Sequence, residues 1–113
     1  MNAVRLAWLL GLAVLGALTG PGHAGELRVE ELLADPASFD GRPVTLRGTL
    51  DRVQAHATRK GNRYHTFHLT QQARELLVVT QDRPACDAGS PVRVEGRFDG
   101  LKRRVDAAAV TCE

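Results

Sequence analysis

The sequence predicts a mainly-β domain: a five-stranded, closed Greek-key barrel with a short helix before its first strand. Three observations carry this. Val44, Leu46, Gly48 and Leu50 alternate with Thr45, Arg47 and Thr49, the period of a half-buried strand. Val92, Val94, Gly96 and Phe98 alternate with Arg93, Glu95 and Arg97 in the same way. Asp99-Gly100 then signals a two-residue hairpin into a last strand, Arg103 to Cys112.

The chain opens on a segment of another kind. Arg5 precedes an apolar run from Leu6 to Leu18, and Gly22-His23-Ala24 puts small residues at a cleavage site. This is the layout of a secretory signal peptide over residues 1–24. The run is thirteen residues long, against the ~20 that span a bilayer. The expectation is an exported protein, periplasmic or extracellular, with no membrane span in its mature chain. Residues 25–113 then form one small domain.

In the mature segment, Val29, Leu32 and Leu33 share one helical face, and Glu30 and Glu31 sit in the first turn. Asp35-Pro36 ends that helix. Asp35 is placed to cap a short second turn that brings Phe39 to the core. Asp40-Gly41 turns the chain into the first strand, which is long. Its apolar parity slips after Leu50 to Val53 and Ala55, which predicts a bulge near Asp51 and Arg52. Thr58 to Asn62 reads as a loop.

Tyr64 to Thr70 is the second strand, with His65, Phe67 and Leu69 on one face and Tyr64, Thr66 and His68 on the other. Glu75 to Thr80 is the third, apolar on both faces. Gln81 to Ser90 is a loop with Pro84 and Gly89. The predicted interior holds Val44, Leu46, Leu50, Phe67, Leu69, Val92, Val94 and Phe98.

Cys86 and Cys112 are the two cysteines. In an oxidising compartment they read as a disulfide, worth about 3.5 kcal/mol for a closed loop of about 25 residues. Two free thiols or half a metal site is the rival reading. Counted outward from a two-residue turn, Cys112 faces position 87, the neighbour of Cys86.

Charge is nearly balanced over residues 25–113, with fourteen basic and thirteen acidic residues, but it is unevenly spread. Residues 25–41 carry a net −4, residues 42–63 a net +5 and residues 93–104 a net +3. Arginine forks suit phosphates and carboxylates. A merely solvated surface accounts for the same residues.

Leu32 to Pro36, Phe39 to Leu50, Tyr64 to Leu69 and Val92 to Phe98 together resemble the exported bacterial OB-fold proteins. The resemblance covers most of residues 28–111. It implies an oligonucleotide-, oligosaccharide- or protein-binding face across the second and third strands and adjacent loops. A helix between the third and fourth strands, common in that fold, is absent from this pattern. The helix before the first strand is the element left to plug the barrel's open end.

Catalysis has no visible carrier. Ser38 and Ser90 are the only serines of the mature segment, no carboxylates are paired by spacing, and no glycine-rich phosphate loop is present. No cofactor is implied. His65 and His68 fall on opposite faces of their strand, so a histidine-based metal or haem site would need a second element such as His56.

The predicted contact surface consists of Arg47, Arg52, Arg59, Lys60, Arg63, Tyr64, His68, Arg103 and Arg104. The expected partner is an anionic polymer or another envelope protein. Single-stranded nucleic acid is the alternative, with Tyr64 and His68 as its stacking surface. A metal or haem carrier is the remaining one.

Overall fold

The computed structural model describes residues 26–113. The predicted signal peptide therefore lies outside the described residues. The elements run β1 (Glu26–Leu27), α1 (Val29–Ala34), α2 (Pro36–Phe39), β2 (Pro43–Ala57), β3 (Arg63–Gln71), β4 (Arg74–Thr80), β5 (Pro91–Asp99) and β6 (Arg104–Cys112).

Five strands close into a barrel in the order β2-β3-β4-β6-β5, with β5 returning to β2. All pairings in the ring are antiparallel except β4 with β6. Two-residue β1 pairs in parallel with β2 outside the ring, an addition to the five predicted strands.

β2 serves both sides of the barrel, so it must bend. Gly48 permits this: a Cβ there would lie 2.7 Å from the Thr70 carbonyl oxygen. The predicted bulge is present. Asp51 faces His68 and Gln54 faces Thr66, which leaves Arg52 and Val53 opposite Phe67 alone. Arg52 takes a left-handed φ of 52°, and its N–H donates to Asp51 Oδ1 at 2.9 Å.

All eight residues predicted to be interior are buried, together with Leu76, Val78, Val105, Val29 and Leu32. On β4 the two apolar faces separate, with Leu76 and Val78 inside and Leu77 and Val79 half-buried outside. Val29 and Leu32 have no exposed surface, so α1 contributes to the barrel core. Full burial of a side chain the size of Leu32 is worth roughly 1.5–3 kcal/mol. Glu31 accepts the Arg28 backbone N–H at 2.9 Å and fixes the start of α1. Asp35 does not cap α2 through its side chain. Its carboxylate is taken instead by the Ser38 hydroxyl at 2.5 Å.

The last hairpin differs from the two-residue turn predicted. Asp99 pairs with Arg104, so Gly100 to Arg103 form a four-residue loop. The Asp99 carboxylate accepts the N–H groups of Leu101 and Lys102, each at 3.0 Å. Asp40 Oδ1 accepts the Gly100 N–H at 2.7 Å. These side-chain acceptors widen the turn, which no pairwise turn rule includes. A register shift at Glu95 and Gly96 follows. Cys112 therefore faces Val92, not position 87. The disulfide forms nonetheless, with Cα atoms 5.7 Å apart, because Cys86 lies in the β4–β5 connection, outside the strand pairing that the hairpin register fixes. That connection, residues 81–90, holds no helix.

Candidate ligand-binding face

The outward face of β2, β3, β4 and β6 is laid out in rows by strand register. His56 stands beside Tyr64. The next row is Gln54, Thr66, Val79 and Asp106, and the one after it is Asp51, His68, Leu77 and Arg104. Thr49, Thr70 and Glu75 form the last. The face is roughly 20 Å long, at about 3.3 Å per strand residue.

The β2 bulge decides its composition. Before the bulge the odd-numbered residues of β2 point outward, and after it the even-numbered ones do. His56 is thereby brought onto the same face as Tyr64. The two rings stack with centroids 4.9 Å apart and planes 15° from parallel. His56 Nε2 also hydrogen-bonds the Thr66 hydroxyl at 2.8 Å, which holds the imidazole in the face. From the sequence alone His56 stands out only as a candidate metal ligand. The parity slip from Leu50 to Val53 was the signal that could have paired it with Tyr64.

The predicted contact residues do not all meet. Tyr64, His68, Arg52 and Arg104 share the face. Arg52 is ion-paired with Glu75, and the Arg104 Nε lies 3.3 Å from Asp106 Oδ1. His68 Nδ1 is 3.7 Å from Glu75 Oε1. The centre of the face is thus mixed in charge, not basic as the clustering of arginines along the chain had suggested. Arg47 lies on the stretch of β2 that pairs with β5, opposite Arg93. It sits 3.5 Å from Glu26 and 3.6 Å from Glu113, away from Tyr64. Arg63 pairs with Ala57 and therefore points to the opposite side of the hairpin from Tyr64.

Arg59 and Lys60 lie in the β2–β3 loop beyond the Tyr64 end and make no ion pair among the described residues. Arg103 lies in the β5–β6 loop at the other end, next to α2, with a φ of 53°. Between Tyr64 and Arg104 a shallow depression is lined by Tyr64, Val79, Gln81, Arg104, Asp106 and Ala107.

The histidines are dispersed. His65 Nδ1 meets the Gln81 carbonyl oxygen at 3.0 Å, whereas His56 and His68 have the partners given above. Among the described residues, no three His, Cys, Asp or Glu side chains gather closely enough to hold a metal ion. No described helix is long and apolar enough to cross a membrane.

No family model and no curated protein sequence matches this chain. Among solved structures, the crystal structure of yeast Stn1 and Ten1 is similar to it. That match has a TM-score of 0.69 at 9% identity and covers 89% of this chain and 69% of the other. The likeness and the closed five-strand ring establish an OB fold.

Proposed function

We propose that this chain is an exported, non-catalytic binding module that holds an extended anionic polymer along the outer face of β3. The observation that carries the reading is the His56–Tyr64 stack near Arg59 and Lys60 of the β2–β3 loop, two cations with no ion pair among the described residues. The stacked rings offer an aromatic surface next to a positive loop. Such a loop steers a polyanion by summed charge, although each exposed cation alone is worth little. Half-buried Val79 and Leu77 add apolar surface along the face. Export is supported by the layout of residues 1–24 and by the Cys86–Cys112 disulfide.

Single-stranded nucleic acid is the polymer that would make fullest use of a ring stack, since every base has a π-face. The same platform suits a sugar ring of an acidic polysaccharide. Heparin-column retention of the wild type against Arg59→Gln/Lys60→Gln and Tyr64→Ala tests the reading. The expected result is earlier elution of both variants with unchanged melting. Binding of an oligo-dT probe by anisotropy then separates the two polymer classes. Co-elution of all three proteins at low salt would defeat the proposal.

A further inference from the structure

The β2–β3 hairpin extends beyond β5 as a ribbon whose β2 edge is open, while β3 keeps β4 beside it as far as His65. β5 leaves β2 at the Thr49–Pro91 pair. The groups of Leu50 are then taken by the loop, its N–H by Ser90 and its carbonyl by Gly89. Past that point β2 has β3 on one side only. The Thr58 N–H donates to the Asn62 carbonyl at 2.8 Å, so Thr58 faces β3. By alternation His56 and Gln54 face β3 as well, whereas Ala55 and Ala57 turn their N–H and C=O groups to the other edge. Among the described residues no backbone hydrogen bond reaches Ala55 or Ala57 on that side.

An open edge of this kind is a template for an added strand. Natural edges are blunted by proline, charge, a bulge or a cover; the β2 bulge ends before Gln54, and Ala55 and Ala57 beyond it are small and exposed. Beside them lies a trough lined by Ala55, His56, Ala57, Arg63 and His65. From Arg52 to Arg74 the chain has no acidic residue, and it carries Arg59, Lys60 and Arg63 at the ribbon. An added strand would thus meet a cationic surface on the trough side.

We infer that the Ala55–Ala57 edge of β2 receives an extended acidic peptide segment by strand addition. Main-chain hydrogen bonds to Ala55 and Ala57 supply the affinity, and acidic side chains facing Arg63 and His65 set the choice of partner. The edge is distinct from the Tyr64 face, so this inference does not rest on polymer binding.

The test is fluorescence anisotropy with a short labelled peptide of alternating glutamate and valine. Ala55→Pro removes an outward N–H while leaving the bonds to β3 intact. It should weaken peptide binding about tenfold without moving heparin retention. A wild-type titration with the same peptide, N-methylated at alternate amides, keeps the test independent of how the variant folds. Methylation of one alternate set should abolish binding, and methylation of the other should not. Equal binding of all peptides would reduce the contact to charge and overturn the inference. No binding of the unmodified peptide would overturn it too. A concentration-dependent dimer, seen by sedimentation without peptide and lost in Ala55→Pro, would assign the edge to a second copy instead.

Discussion

The Val29 N–H donates to the side-chain oxygen of Gln71 at 2.9 Å, which joins the first residue of α1 to the last residue of β3. The same amide donates from Nε2 to the Arg47 carbonyl at 2.6 Å. One side chain thus ties the plugging helix to two barrel strands. It also satisfies a helix-terminal N–H of a fully buried residue, which has no partner within the helix itself.

Gln71→Ala leaves that N–H without its acceptor. The expected cost is about 1–3 kcal/mol, read as a lower urea midpoint with an unchanged slope. A midpoint equal to that of the parent would mean that the amide is dispensable.

The β3–β4 turn holds two non-glycine residues at positive φ, Gln72 at 47° and Ala73 at 66°. Such a turn normally uses Asn-Gly or a similar pair, and a left-handed alanine costs roughly 1–2 kcal/mol. Ala73→Gly should therefore stabilise the domain by about 1 kcal/mol, less the entropy that glycine adds to the unfolded chain. Thermal melting of the variant checks the sign.

Reduction of Cys86–Cys112 frees the β4–β5 loop from the end of β6. The double variant Cys86→Ser/Cys112→Ser should lose about 2–4 kcal/mol and still fold, because the barrel core includes neither cysteine. Intact-mass measurement before and after reduction should show a gain of about 2 mass units. Free thiols in protein purified without reductant would contradict the pairing.

Arg47→Gln should leave heparin retention nearly unchanged, in contrast to the Arg59/Lys60 pair. Arg47 stands between Glu26 and Glu113 on the β5 side of the barrel. A loss equal to that of the loop variant would place the polymer across β2 and β5 instead of along β3.

Periodicity in the sequence already determined the barrel interior. Val44, Leu46, Leu50, Phe67, Leu69, Val92, Val94 and Phe98 are buried as their alternation requires, because burying one face of a strand constrains every second residue. The bulge at Arg52 was legible for the same reason: a slip in parity has few other causes. The plugging role of Val29 and Leu32 was readable from the helical spacing and the lack of a later helix. Tertiary structure alone decided the charge of the face. Arg52 meets Glu75 across strands and Arg47 meets Glu113 from the far end of the chain, and no local pattern records which distant acid will neutralise a base. The hairpin register was of the same kind. Asp99-Gly100 carried a sound two-residue turn signal, yet Asp99 used its own carboxylate on Leu101 and Lys102 while Asp40, the residue that follows α2, held Gly100. Local propensity ranks the turns open to a short segment, and the hydrogen bonds available from the rest of the fold select among them.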